Sequence, residues 1–532
     1  MEADFVIVGA GSAGCVVADR LSEHGFSVLL LEAGPSDGSL YIRVPAGVVK
    51  LIGHPVYDWK YRSIAEPNVD GRVINLPRGR VLGGTSSING MKFVRGHPSD
   101  FDGWAQQGCR GWSYQDVLPH FKAIESFEGG DDAYRGRSGP IKVTPYDTIL
   151  PITHHYVEAA LQAGYPLCWD INGATTDGVC YSQMSRRGRF RESTASTFLA
   201  RARGRQNLRI ETGVMATRLL FDGRRCVGVA CRRGDEDFIA RARREVIVSG
   251  GSINSPQLLQ LSGIGPAAHL RNIGIEAVHD LAGVGSNLSD HYAVPVTARV
   301  KDTVTVNQLR RFPWIAVEMA KWALAARGAL TFGATSASVF ARSRPDLASP
   351  DLQLMLFPGS FTPLLSGPPV LERDPGIRVS VSLARPRSRG SIMATSPNPG
   401  VPPTIHLNYL SDPEDMRALT SGVQQVRNIF AQKAIAPYIV TETGPGGEAQ
   451  HDEAIAAYIR TSGTTVHHLV GTCRMGEDDR AVVDSRLRVR GIGGLRVVDA
   501  SVMPQVTTGN TNAPTIMIGD KGAALIREDA RT

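Results

Sequence analysis

Residues 464–476 read TTVHHLVGTCRMG and place two histidines, His467 and His468, side by side. Histidine is the side chain whose ordinary charge change lies nearest neutral pH, so it is the first candidate for moving a proton. Neighbouring residues of an extended segment point to opposite faces. The pair therefore predicts one histidine at a reaction centre and one turned elsewhere, without saying which. Cys473 lies close by and reads as a small buried residue rather than a redox group.

A base needs something to act with, and the N-terminus supplies it. In DFVIVGAGSAGCVVADRLSEHGFSVLLLEAG (4–34) an apolar strand meets a Gly-rich turn, then a helix with Val16, Val17 and Leu21 at helical spacing, then a second apolar strand. This is a βαβ unit carrying G-x-G-x-x-G at Gly9, Gly11 and Gly14, with Glu32 closing the second strand. Gly9 allows the tight turn, Gly11 lets a pyrophosphate reach the backbone, and Gly14 lets helix and strand pack closely. The helix N-terminus favours phosphate charge, and Glu32 suits a ribose hydroxyl. The acid argues against NADP; FAD and NAD both remain open on these residues.

Two later stretches return to the same sheet: REVIVSGGSINSPQLLQLSGIG (244–265), and LRVVDASVMP (495–504) with the helix-opening GNTNAPTIMIGDKGAALI (509–526). Between them, alternating strands such as RVSVSLARP (378–386) and the apolar run LQLMLFP (352–358) indicate another sheet. The expected fold is α/β. A Rossmann-like dinucleotide domain is assembled from 1–150, 205–295 and 471–532, and a second domain comprises 151–204 and 296–470.

The chain has 532 residues, a 42% hydrophobic and 20% charged composition and a formal charge of +7. That is an ordinary globular balance, long enough for more than one core. The arginine-rich runs 186–205 and 232–245 lack interleaved aromatics and read as solvated surface, so no nucleic-acid partner is expected. Seven scattered cysteines without a C-x-x-C pair argue for a reducing compartment and against a zinc site. No signal-peptide pattern opens the chain. The apolar stretch 312–330 carries Glu318, Lys321 and Arg327, so it is expected to form an amphipathic helix, not a membrane span. The expected location is cytoplasmic, with peripheral contact at the inner membrane face left open, as either monomer or homodimer.

GRVLGGTSSINGMKFVRGHPSD (79–100) and GSINSPQLLQLSGIG (251–265) resemble the two signature segments of the glucose–methanol–choline oxidoreductases. The βαβ unit and HHLVGTCRMG…VVDASVMP…GNTNAPTIMIGDKGA resemble that family's other landmarks, in order and almost end to end. The look is closest to choline dehydrogenase and bacterial alcohol dehydrogenases. The resemblance implies FAD across the first domain and an antiparallel-sheet substrate domain flanked by helices. It implies oxidation of an alcohol by hydride transfer to flavin N5. By the same resemblance Gly9, Gly11, Gly14 and Glu32 match the ADP cradle. Arg80, Gly83, Gly84, Thr85 and Asn89 match the segment under pyrophosphate and flavin, and Val214 the adenine contact. Asp499 and Ala500 match the pyrophosphate segment, and the loop with Thr511 and Asn512 the flavin pyrimidine. The position that is a flavin-bonded histidine in some members is Ile88, which implies non-covalent FAD. His468 matches the catalytic histidine and Asn510 its partner, while Leu469 stands where the family often has Pro. Within the family, choline and sorbose-type sugar-alcohol dehydrogenases are alternatives. A lyase or a non-redox flavoprotein is the alternative of another class. The acceptor, oxygen or a quinone, is not legible, and no metal is expected.

Overall fold

A computed structural model describes residues 1–362 and 370–531. The strand Glu2–Val8 forms from an unbroken apolar run, the pattern of a strand covered on both faces. It lies between two parallel partners, Val28–Glu32 and Glu236–Val248. Leu208–Thr212 adds in parallel beyond the first, and Leu495–Val497 pairs in parallel with the Val246–Val248 end of the second. An antiparallel ribbon, Met215–Asp222 and Arg225–Arg233, completes this seven-stranded sheet. The helices Gly14–Glu23 and Asn512–Asp529 pack together on it. There Gly519 is needed, because a Cβ would sit 2.9 Å from the Ala13 carbonyl oxygen.

The parallel strands all run one way, so their carboxyl ends open onto one edge. Val8 leads to Gly9, Glu32 to Gly34, Thr212 to Val214, Val248 to Gly250 and Val497 to Asp499. Such an edge is where α/β sheets bind ligands. Segments far apart in sequence converge there because the sheet, not the chain order, sets their distance.

The second sheet is antiparallel throughout. Its order is Ile439–Gly444, Tyr292–Val300, Gly376–Leu383, Leu352–Phe357, Ala337–Ala341 and Gly178–Tyr181, with Thr464–Thr465 also pairing to Tyr292–Val300. Helices Pro413–Phe430 and Asp452–Ser462 cover it. The expected α/β fold with a further antiparallel sheet is therefore present. Each sheet has its own apolar core. The chain steps from the second core to the first between Leu469 and Val470, immediately after the histidine pair.

The apolar stretch forms the helix Trp314–Ala325, but its inward side corrects the sequence expectation. The buried member is Glu318, which accepts from Lys321 at 2.7 Å and from the Ala329 N–H at 2.6 Å. Phe312, Trp314, Met319 and Leu324 are exposed. Glu318 thus ties the helix to the turn at Ala329 through an ion pair and a backbone N–H. Among the described residues no helix is long and apolar enough to cross a membrane.

Candidate active site

Pairing of Tyr292 with Thr465 and of Ser289 with Val470 lays residues 289–292 beside 465–470. Asp290 uses this register to hold the histidine segment. One carboxylate oxygen accepts the His468 N–H at 2.7 Å; the other accepts the Thr465 hydroxyl at 2.6 Å and the Tyr409 hydroxyl. Thr465 in turn accepts the His467 N–H at 2.7 Å, and Arg78 donates to the His467 carbonyl at 2.6 Å. These restraints place His467 at φ +68°, in the left-handed region. The chain is not extended there, so the alternation expected from the sequence fails. Both histidines are walls of one cavity. Leu469, where the family often has Pro, is buried in the second core, and its carbonyl accepts Ser252 Oγ at 2.6 Å.

The same register brings up His291, which the sequence reading passed over. Its Nδ1 lies 2.9 Å from Nδ1 of His468, and its Nε2 lies 3.2 Å from the Ala384 carbonyl. A carbonyl only accepts, so His291 carries its proton on Nε2. Burial pushes the His291 pKa down to about 4, against the pull of the Ala384 and Thr507 carbonyls, so the ring is neutral and Nδ1 is bare. His468 must then donate from Nδ1, leaving its Nε2 lone pair free. Asn510 Nδ2 lies 3.1 Å from that nitrogen, and an amide N–H can only donate to it. The relay sets one tautomer: a neutral His468 with its basic nitrogen beside Asn510. Asn510 Oδ1 and His467 Nδ1 have no hydrogen-bond partner among the described residues.

Burial is also the largest cause holding His468 well below the usual histidine range, with His291, His467, Arg78 and Lys92 adding to it. Burial takes His467 down to about 3, with help from Arg78. This has a consequence for stability. Unfolded, these histidines take up protons as pH falls through the ordinary value near 6.5, whereas folded His467 and His291 refuse them until about 3 and about 4. Their stabilisation is complete above the unfolded pKa and is lost as pH falls toward the folded values. The melting temperature is therefore expected to be lower at about pH 5 than at about pH 7, and His467→Asn to flatten that slope. Equal melting temperatures for the unsubstituted protein at the two pH values would contradict it.

The cavity has a volume of about 1740 Å³ and runs from Gly9 and Gly11 past Gly84, Thr85, Ile88 and Asn89 to His468 and Asn510. Val214, Asp499, Ala500, Thr511 and Asn512 also line it. Gly11 would meet nothing closer than 3.9 Å with a Cβ, so its open side faces the cavity. Gly14, Gly83 and Arg80 lie behind the wall. A Cβ on Gly14 would stand 1.9 Å from the Gly9 oxygen, Gly83 has φ +86°, and the Arg80 guanidinium sits 5.0 Å over the Trp59 ring. Glu32 faces the cavity with each oxygen already accepting a backbone N–H, from Ala10 at 3.0 Å and Gly34 at 2.8 Å. Asp499 accepts from Gly251, Ser255 and Ser501. All seven cysteines are buried and free, and no metal-holding cluster exists among the described residues.

The GMC oxidoreductase N-terminal pattern matches residues 3–293, and the C-terminal pattern matches residues 386–519. The chain belongs to the GMC oxidoreductase family. It is similar to the oxygen-dependent choline dehydrogenase of Rhizobium etli, 41% identical over 526 residues that cover 98% of this chain and 95% of the relative. The similarity to the Brucella suis protein of the same name is also 41%, with the same coverage. Among solved structures, pyridoxine 4-oxidase from Mesorbium loti superposes with a TM-score of 0.90 at 30% identity, covering 99% of each chain. Formate oxidase superposes at 0.93 with 27% identity, covering 100% of this chain and 99% of the other. As a GMC member the protein is an FAD-dependent oxidoreductase acting on CH–OH donors. The wall fits the cofactor. Two glycine turns meet where a Cβ on Gly84 would stand 2.7 Å from the Gly11 Cα, which keeps backbone rather than side chains at the surface meant for phosphates.

Proposed function

We propose that His468 is the base of this alcohol oxidoreductase, that Asn510 holds the substrate oxygen, and that His291 is a positioning residue setting the His468 tautomer. The observation that carries this reading is the relay Ala384–His291–His468–Asn510, which ends in a bare nitrogen at the cavity wall. An alcohol entering there exchanges places with the amide. Its hydroxyl donates to His468 Nε2 and accepts from Asn510 Nδ2. His468 then takes the proton as the carbinol carbon gives up its hydrogen. Burial keeps the base unprotonated at neutral pH while lowering its proton affinity, so proton removal gains from being coupled to loss of the hydride. Bound FAD supplies the two-electron acceptor for that hydride. Gly9, Gly11, Gly84, Thr85, Asn89, Val214, Asp499, Ala500, Thr511 and Asn512 would hold it, with Glu32 at the ribose, and Ile88 leaves it without a histidine bond.

The direct test is anaerobic mixing of the FAD-loaded protein with a panel of primary alcohols while the flavin absorbance is followed. Bleaching by at least one alcohol is expected, and none across a broad panel would reject the reading. Admitting oxygen or a quinone analogue afterwards assigns the acceptor; the names of the choline dehydrogenase relatives favour oxygen. Choline itself is the second reading, favoured by those same relatives.

His291→Phe is expected to keep FAD bound yet slow flavin reduction about 10- to 100-fold, the scale on which losing an outer partner that fixes a histidine ring's tautomer and orientation lowers activity. It should also move the acid limb of the pH–rate profile, which a merely structural role would leave in place. An unchanged rate and profile would remove His291 from the mechanism.

A further inference from the structure

One buried cation in the cavity has no part in the chemistry above. Lys92 follows the GGTSSING turn, is 7% exposed, lines the cavity, and acts electrostatically on His468. Its ammonium donates to Ser338 Oγ on the strand Ala337–Ala341 and forms no ion pair among the described residues. An ammonium has three N–H donors, and burying one without a counter-charge is costly. The neighbouring thiol, Cys180, does not supply the charge, because burial raises it to about 11. Burial lowers Lys92 to about 8, which leaves it largely protonated at neutral pH.

Among the described residues, no other side chain on the cavity wall offers Lys92 an anion. The wall's carboxylates are Glu32, Asp58 and Asp499, and each is engaged elsewhere. Glu32 serves the Ala10 and Gly34 N–H groups, Asp58 those of Gly53, Lys60 and Arg78, and Asp499 those of Gly251 and Ser501 together with Ser255. Residues 363–369, PLLSGPP, carry no charge by sequence. The second sheet adds another cation, Arg378, whose Nε donates to Ser380 at 3.2 Å and which forms no ion pair among the described residues. The cavity wall at Lys92 thus carries positive charge, and none of the described carboxylates lining the cavity pairs with it. A quaternary ammonium would meet repulsion from Lys92 there, and the nearest acid behind His468, Asp290, is already engaged by the His468 N–H and the Thr465 and Tyr409 hydroxyls.

We propose that Lys92 is a substrate-binding residue that receives a carboxylate on the alcohol, so that the substrate class is a short hydroxy acid and cationic alcohols such as choline are disfavoured. This rests on the alcohol-oxidation reading above, and the test separates the two. The probes are 3-hydroxypropanoate, 3,3-dimethyl-1-butanol and choline, which set a carboxylate, a neutral tert-butyl group and a trimethylammonium at one spacing from the hydroxyl. With the FAD-loaded protein, the carboxylate alcohol is expected to reduce the flavin about tenfold or more faster at limiting concentration than choline. Lys92→Met should cut the rate with the carboxylate alcohol about 10- to 100-fold and change the neutral one little, whereas Lys92→Arg should keep most of the preference. Propionate, which has no hydroxyl, gives a readout without turnover. Its binding, followed by perturbation of the flavin spectrum, should weaken by a similar factor in Lys92→Met. Faster reduction by choline than by the carboxylate alcohol, an equal loss on all probes, or unchanged propionate binding in Lys92→Met would each overturn the proposal. Absence of bleaching by every alcohol alongside Lys92-dependent propionate binding would reject the alcohol reading and leave the anion site standing.

Discussion

Alanine at position 468 is expected to leave FAD bound and to slow flavin reduction by alcohol by roughly 10²–10⁴, the usual contribution of a positioned general base. The residue is buried and held by its backbone N–H and by both ring nitrogens. Its N–H is on Asp290, Nδ1 on His291 and Nε2 on Asn510, so no nearby group is placed to replace it. His467 is the closest substitute in sequence, but its Nδ1 has no partner to set a tautomer. The cofactor cradle is built from other segments, so flavin content should be that of the unsubstituted protein. Added imidazole should restore part of the lost rate, since truncation leaves a cavity beside an intact Asn510. The measurement is single-turnover flavin bleaching without oxygen. A flavin-loaded variant reduced at the original rate would take His468 out of the mechanism.

The second large effect is on the cofactor itself. Gly9→Ala should abolish stable FAD binding and lower the melting temperature. The residue has φ +100°, and an added Cβ would lie 2.4 Å from the Ser249 carbonyl oxygen and 2.9 Å from its carbon. Both atoms are backbone at the end of a central strand, so neither can swing aside. Backbone strain and overpacking cost about 1–3 kcal/mol each, and here they act at one point. Flavin content per chain and thermal unfolding read the two consequences. A variant retaining full flavin and an unchanged melting temperature would show that the turn tolerates a side chain. Gly213 is the control: it also has positive φ, yet a Cβ there would meet nothing within 4 Å, so Gly213→Ala should keep its flavin.

How far the site was readable from residues alone varies with the distance over which each contact acts. The glycine turn, its flanking strands and Glu32 lie within one contiguous βαβ unit, where pattern and geometry are the same statement. His468 and Asn510 came from resemblance, and the structure sets them 3.1 Å apart. His291 was missed because nothing local marks it; its partner is 177 positions away and is reached through strand register. The alternation argument for His467 and His468 assumed an extended chain. It failed because Arg78 and Thr465 hold His467 in a left-handed conformation, a restraint from outside the segment. The helix at 314–325 misled in the same way: its hydrophobicity is local, but its anchor is Glu318 bonded to Ala329 and Lys321.

The amino-acid sequence by itself determined that this is an α/β chain with a dinucleotide turn at Gly9, Gly11 and Gly14, and, through its motifs, the family and the cofactor. Those properties follow from short-range rules: strand periodicity, glycine conformational freedom, and helix-terminal charge. Only the tertiary structure decided which nitrogen of His468 is basic, that both histidines line the cavity, and that Lys92 is buried there with no ion-pair partner among the described residues. A tautomer depends on the one acceptor placed beside the ring, and a buried charge depends on what surrounds it from every side. Both are set by packing between distant segments, which no local pattern encodes.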